Sequence, residues 1–476
     1  MKLMTPYFMK PLEEYTHVYF LGIGGIGMSA LAQWCQSQGM HVAGYDRTPS
    51  AVSCMLESQG IPVTYSDDAE HIPIDFRNSS KVLAVYTPAI PQEHPQLQYF
   101  RTHGFDIIKR AALLGLISRS KRLIAVAGTH GKTTTTAMIA HILKQTEVPV
   151  TAFVGGIMRN YQNNLLLSQA ADAWIVAEAD EYDRSFLHLH PTLAVVTNIE
   201  ADHLDIYGSE QAIIDSFEAF LKNIQDKGTL IAHEGVSARP PQGLHTLRYG
   251  TSLHCQYSIK ELRYENEQLY FDLNISTQEQ HTLRLLVPGE HNALNATAAF
   301  AVAQQIGIAP ASIIDALSSF QGVKRRSEIW YRSPQYVLVD DYAHHPTEIE
   351  NTLRTMRALY PQRQLLAVFQ PHLYTRTRDF AAAFGKALGL ADQVMLTPIY
   401  PARETPIEGV DSRLIARYCP VSARVVAPTE SIEAVFEEWL PQATPPLTII
   451  VMGAGNIEQH LPNFLNLLKT LEHEQA

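Results

Sequence analysis

Apolar and polar positions along the N-terminal quarter of the chain alternate between two periods. His17 to Leu21 is a short apolar run ending in glycines, which predicts a strand. Met28 to Gln38 carries helical spacing, and His41 to Tyr45 and Val82 to Tyr86 read as further strands, the last ended by Thr87-Pro88. Strands alternating with helices across Gly-rich turns predict a parallel sheet covered on both faces.

The same alternation restarts near Ser118. Leu123 to Ala127 is a buried-strand pattern followed by a glycine-containing loop and a helical stretch to Lys144. Ala173 to Ala177 and Leu193 to Thr197 are two more strands, each running into acidic residues. From Leu253 to Val287 the period shortens to two, as in Gln268-Leu269-Tyr270-Phe271-Asp272-Leu273, and predicts a small antiparallel sheet. Helical spacing returns over Asn292 to Gln305. After Phe320-Gln321-Gly322 a third α/β block begins, with strands at Tyr336 to Val339, Leu365 to Phe369, Gln393 to Leu396 and Leu447 to Met452. Pro346 to Leu359 reads as a helix with proline in its first turn. The expected division is 1–117, 118–322 and 323–476, which suits 476 residues at roughly 150 per domain.

Composition narrows the class. Apolar residues make up 46% and charged residues 18%, as in a globular protein. With 37 Lys and Arg against 48 Asp and Glu the net charge is −11, which argues against nucleic-acid or anionic-membrane partners but leaves room for a local phosphate pocket. The four cysteines, Cys35, Cys54, Cys255 and Cys419, form no Cys-x-x-Cys pair and suit a reducing compartment. No signal-peptide pattern occupies Met1 to Lys10, and no apolar run reaches the roughly 18 residues a bilayer needs, so a cytoplasmic protein is expected.

Five groups of residues carry chemistry. Gly22-Ile23-Gly24-Gly25-Ile26-Gly27 fits G-x-G-x-x-G between a strand and a helix, where free N–H groups suit a phosphate. Asp46 ends the next strand, where a ribose-binding acid would sit. A plain strand–helix turn is the other reading, and the motif alone leaves NAD and other diphosphate ligands open. Gly128-Thr129-His130-Gly131-Lys132-Thr133-Thr134 is sharper: its backbone can cradle phosphate, Lys132 adds a point charge, and Thr133 Oγ can ligate Mg²⁺. The strict Walker pattern places Gly at position 126, where this chain has Val126, so the loop is a variant that still points to a nucleoside triphosphate.

Glu178-Ala179-Asp180-Glu181 and Asp202-His203-Leu204-Asp205 close two of the central strands, at the edge where the phosphate loop also lies. Glu178 and His203 are candidate Mg²⁺ ligands, while Asp180 and Glu181 are expected to be solvated or hydrogen-bonded. His291 to Ala296 opens a helix; its asparagines suit either an adenine edge or a helix cap. In the third block, Asp340 to Pro346, Gln370 to Arg378 and Gly453-Ala454-Gly455-Asn456 follow successive strands and look like the rim of one cleft.

In this order, and with Arg325-Arg326 before Asp340, the motifs resemble the Mur ligase family over nearly the whole chain. The Leu21 to Ser29 run and Gln370-Pro371-His372 with Tyr374-Thr375-Arg376-Thr377 resemble its alanine-adding member. The resemblance implies three α/β domains: a Rossmann-like UDP-sugar domain, a P-loop-type ATPase domain and a Rossmann-like amino-acid domain. It implies ATP and Mg²⁺, with UDP-N-acetylmuramate and L-alanine as substrates, and a monomer or weak homodimer. The muramate carboxylate would attack the γ-phosphate; the amine would then displace phosphate from the acyl phosphate.

By resemblance, Lys132, His203, His344 and Arg376 would be catalytic. The loop from Gly128 to Thr134, with His291, Asn295, Arg326 and Asp341, would hold ATP. Gly22, Gly24, Gly25, Gly27 and Asp46 would hold the UDP-sugar, and Thr133, Glu178 and His203 the metal. Two departures matter. Leu373 stands where many members have Arg, which throws amino-acid anchoring onto Arg376. No lysine lies between Asp205 and Lys222, so no metal-supporting modified lysine is expected. The rival within the family attaches a tripeptide to the same nucleotide sugar; an NAD-dependent oxidoreductase would leave the Lys132 loop unexplained.

Overall fold

The structure, a computed structural model, describes residues 10–78, 80–119, 121–200, 207–276, 279–402 and 404–475. Its tertiary packing divides into two units. The first runs to Lys260 and takes in Leu273–His281 and Leu294–Leu317; the second holds Glu261–Asp272, Thr282–Ala293 and the chain from Ser318 onward.

The first unit begins with β1 (His17–Leu21), β2 (His41–Tyr45), β3 (Val63–Thr64), β4 (Val82–Tyr86) and β5 (Asp106–Lys109), in the order β3-β2-β1-β4-β5. All four pairings are parallel. The order reverses between β1 and β4, so a crevice opens beyond their C-terminal ends. Helix α1 (Ile26–Ser37) leaves the glycine loop after β1, and α2 (Arg110–Ser118) follows β5.

The second sheet of this unit contains β6 (Leu123–Ala127), β7 (Val150–Met158), β8 (Asn163–Leu166), β9 (Trp174–Ala179), β10 (Leu193–Val196), β11 (Thr229–His233) and β12 (His245–Gly250), in the order β12-β11-β10-β6-β9-β7-β8. Only β8 runs antiparallel among these. Helix α3 (Lys132–Gln145) starts from the loop after β6 and is buried from Thr133 to Leu143. One cluster of buried side chains, including Phe20, Leu31, Phe153, Ile175 and Phe186, joins both sheets. Each such side chain contributes about 1.5–3 kcal/mol on leaving water, which fixes the glycine loop after β1 relative to the strand ends of the second sheet. Strands β13 (Tyr257–Glu265), β14 (Gln268–Ile275) and β15 (Glu279–Leu285) occupy the stretch of two-residue alternation. Helix α4 (Glu290–Gln305) follows.

The second unit holds β16 (Glu328–Arg332), β17 (Tyr336–Asp341), β18 (Gln364–Phe369), β19 (Gln393–Leu396), β20 (Ala423–Val425) and β21 (Leu447–Met452), in the order β16-β17-β21-β18-β19-β20. Only β16 is antiparallel to its neighbour. Helices α5 (Pro346–Leu359) and α6 (Tyr374–Leu388) leave β17 and β18 at the same sheet edge. Among the described residues no helix is long and apolar enough to cross a membrane.

Candidate functional site

The glycine loop is built by close approach. Gly22 has φ +86, and a Cβ there would lie 2.6 Å from Thr87 Cγ2 across the crevice between β1 and β4. A Cβ on Gly27 would collide with the guanidinium of Arg110. The last glycine of the motif thus makes room for a cation at the N-terminal end of α1. Arg110 Nη2 in turn donates to Asp180 Oδ2 at 3.1 Å, and Lys109 pairs with Asp183. Asp46, read from sequence as a ribose acid, accepts Gly24 N–H at 2.7 Å through Oδ2 and Arg47 N–H at 2.8 Å through Oδ1. It therefore holds the loop's own backbone. Gly25 caps α1.

The second loop sits between β9 and β10 at the end of β6. Gly128 and Gly131 have φ +134 and +83, and Gly131 caps α3 in the left-handed conformation. Asn198 fixes the loop from the end of β10: its Oδ1 accepts His130 N–H at 2.8 Å and its carbonyl accepts Thr129 N–H at 3.2 Å. Thr197 Oγ1 donates to His130 O at 2.5 Å. Asn295 lies against the loop, where a Cβ on Gly131 would come within 2.6 Å of its Oδ1; that oxygen accepts Thr135 Oγ1–H at 3.1 Å. Thr133 and Thr134 are the buried second and third residues of α3.

Lys132 Nζ donates to Gly128 O at 2.6 Å, to Thr129 O at 3.1 Å and to both oxygens of Glu181 at 2.9 and 2.8 Å. The lysine side chain is 16% exposed and that of Glu181 only 4%. Burial opposes the Lys132 ammonium, but Glu181, Asp180 and Glu178 outweigh it and hold the lysine's pKa above its ordinary value. Burial pushes the Glu181 carboxyl up to about 7, against the pull of Lys132.

Glu178 closes β9 in register with Val126 of β6, two residues before Gly128. Its Oε1 accepts Gly155 N–H at 2.6 Å, and a Cβ on Gly155 would meet it at 2.5 Å. The Thr133 hydroxyl, in the first turn of α3, and the Glu178 carboxylate are oxygen donors of the type a hard cation takes. His203, with Asp202 and Asp205, lies outside the described residues. A cavity of about 170 Å³ lies beside the first loop, lined by Gly27, Arg110, Gly155, Glu178 and Asp180 among others.

The second unit gathers the other predicted groups at one sheet edge. Asp341 ends β17, buried; it accepts Ser327 N–H at 2.8 Å, Ser327 Oγ–H at 3.0 Å and Ala343 N–H at 2.8 Å. Burial raises its pKa even so, against Arg326 and these bonds. Arg326 lies 5.0 Å from the Tyr342 ring centroid and 3.9 Å from Glu348 Oε1. His291 is held at a pKa of about 4 by burial, with Arg326 adding to the effect. His344 Nδ1 sits 3.0 Å from Tyr342 O and 3.2 Å from Glu348 Oε2. Its ring is edge-on to His372 at 6.1 Å, and His372 stacks on Tyr400. Arg376 is buried in the first turn of α6, which Leu373 enters at φ +70. Gln370 bridges to Asn456 Oδ1 at 3.0 Å beneath Gly455. Contacts therefore link the segments after the three strand ends: His344 with His372, Gln370 with Asn456, and Gly453 N–H with Asp341 O.

Two residues escaped the sequence reading. Arg110 was not singled out, because nothing near it in sequence marks an anion site. Glu181 is hydrogen-bonded, which is one of the two states expected of it, but its burial against Lys132 depends on sheet order and is not carried by the motif.

Three family profiles match the chain in sequence order. They are described as Mur ligase family, catalytic domain, over residues 17–122; Mur ligase middle domain, over 126–303; and Mur ligase, glutamate ligase domain, over 325–455. The chain is 42% identical over 453 residues to the UDP-N-acetylmuramate–L-alanine ligase of Cytophaga hutchinsonii, covering 94% of this chain and 96% of that protein. It is 41% identical over 467 residues to the ligase of the same name in Christiangramia forsetii, covering 98% and 100%. Among solved structures it is similar to the UDP-N-acetylmuramate-alanine ligase MurC of Thermotoga maritima, with TM-score 0.80, 28% identity, and 95% and 99% of the two chains covered.

Proposed function

The chain belongs to the Mur ligase family, and from that membership we propose that it joins L-alanine to the carboxylate of UDP-N-acetylmuramate at the expense of ATP. The reaction is a step of peptidoglycan precursor synthesis. The observation that carries this reading is the pair of glycine loops in the first unit, each at its sheet's switch in strand order and each opening a helix.

The loop from Gly128 to Thr134 cradles the triphosphate, with Lys132 placed to neutralise the transferring phosphoryl group. Thr133 and Glu178 would hold Mg²⁺, which supplies charge neutralisation at the phosphate oxygens. The loop from Gly22 to Gly27, with Arg110 beside it, receives the diphosphate of the nucleotide sugar. The sugar's carboxylate attacks the γ-phosphorus and ADP leaves. The amine of alanine then adds to the acyl phosphate, and the tetrahedral intermediate expels phosphate. Such chemistry depends on positioning and charge more than on covalent help from the protein. In the second unit, Arg326 and Asp341 serve the nucleotide, and His344 and Arg376 serve the amino acid. We assign the domains 1–117, 118–322 and 323–476 to UDP-sugar, ATP and amino acid. A cytoplasmic location fits the nucleotide substrates.

The test is phosphate release with ATP, Mg²⁺ and UDP-N-acetylmuramate, offering alanine, serine, glycine or tripeptide in turn. Release dependent on L-alanine and lost in Lys132→Ala is expected. Release only with tripeptide would move the chain to the wall-recycling ligase, which shares both loops.

A further inference from the structure

The contact between Lys132 and Glu181 does something that neither motif explains. The lysine that should meet the phosphates of ATP is folded back onto its own loop. Its ammonium is already satisfied by two loop carbonyls and by both oxygens of one carboxylate. That carboxylate belongs to the segment just after β9, on a residue that is 3% exposed and anchored by its own backbone: Tyr207 Oη donates to Glu181 O at 2.6 Å. Glu181 is thus a carboxyl group fixed in position where a phosphate would otherwise be the lysine's partner.

Resting on the ATP-dependent reading above, we propose that Glu181 is a positioning residue that parks Lys132 in the nucleotide-free protein and competes with the β- and γ-phosphates for it. Everything that stabilises the parked ammonium is subtracted from ATP affinity, because the pair must part for the lysine to reach the triphosphate. With the Glu181 charge removed, the ammonium is left with only the two loop carbonyls, Gly128 O and Thr129 O, as charge-free partners. A nucleotide with only an α-phosphate offers the lysine much less and gains little from its release.

The experiment is equilibrium titration of the full chain with MgATP and, separately, AMP, for the wild type, Glu181→Gln and Glu181→Asp. Glu181→Gln should tighten ATP binding about tenfold, the weight of one hydrogen bond to a charged group, and lower the KM for ATP, with AMP affinity within twofold. Glu181→Asp should fall between the two, and it carries the test if the glutamine variant does not fold. In a Lys132→Met background the gain from Glu181→Gln should vanish. Unchanged or weaker ATP binding in a folded variant overturns the proposal, as does a parallel shift for ATP and AMP. A wild-type chain that binds no ATP instead removes the functional reading itself.

Discussion

Gly131→Ala is the most direct probe of how the phosphate loop is built. The residue has φ +83, where a side chain costs about 1–2 kcal/mol. The new Cβ would lie 2.6 Å from Asn295 Oδ1, closer than real Cβ contacts allow. The amide must withdraw, and its bond from Thr135 Oγ1, 3.1 Å long and buried, is lost for about another 1 kcal/mol. The expected loss is about 2–3 kcal/mol, read from equilibrium urea unfolding as a lower midpoint at unchanged slope. Adding Asn295→Ala removes the clash but not the backbone strain. The double variant should therefore recover about 1 kcal/mol relative to the sum of the singles. A loss under about 1 kcal/mol, or strict additivity, would falsify the claim that Asn295 packs down the loop.

Lys132→Ala should cut phosphate release about 10²–10³-fold, the effect of deleting one charge-stabilising group; a smaller drop in a stopped assay would deny the lysine its role. Gly27→Ala should displace Arg110 and raise the KM for the nucleotide sugar about tenfold, and an unmoved KM would show that the guanidinium serves only Asp180. His141 is fully buried, with Nδ1 2.8 Å from Tyr161 Oη and Nε2 3.0 Å from Ala316 O, and burial lowers its pKa to about 4. Below pH 6.5 the unfolded chain takes a proton there that the folded chain refuses. Stability should fall by up to about 3 kcal/mol as pH drops from 6.5 toward 4. His141→Gln should flatten that loss in melting experiments at pH 7.5 and 5, and an identical loss in both proteins would sink the assignment.

What the sequence made legible was whatever is local. The glycine loops, the strands before them and the helices after them are contiguous stretches whose period and turn residues stand in order along the chain. The edge made by Asp341, His344 and Arg376 was legible for the same reason, since parallel strands end on one side. Contacts set by sheet order were not. β9 inserts beside β6 after two intervening strands, and only that insertion brings Glu181 to Lys132. Arg110 reaches Gly27 because β5 and α2 return to the edge where α1 begins, and no spacing rule states it. Asp46 was placed correctly at a strand end, yet its oxygens went to backbone amides, which a pattern of residue types does not distinguish from a ribose hydroxyl.

The pair between Arg110 and Asp180 ties the two loops into one thermodynamic account. Asp180 is among the charges that act on both Lys132 and Glu181. An anion that draws Arg110 away from Asp180 leaves more negative field at the ATP loop, and a triphosphate that claims Lys132 alters what Asp180 can hold. Linkage then requires the two substrates to change each other's affinity by the same factor. The ratio of ATP dissociation constants with and without the nucleotide sugar measures it, and a ratio of one would mean that the aspartate transmits nothing. One carboxylate, in contact with Arg110 and within the field of Lys132, is where the two sites would exchange that free energy.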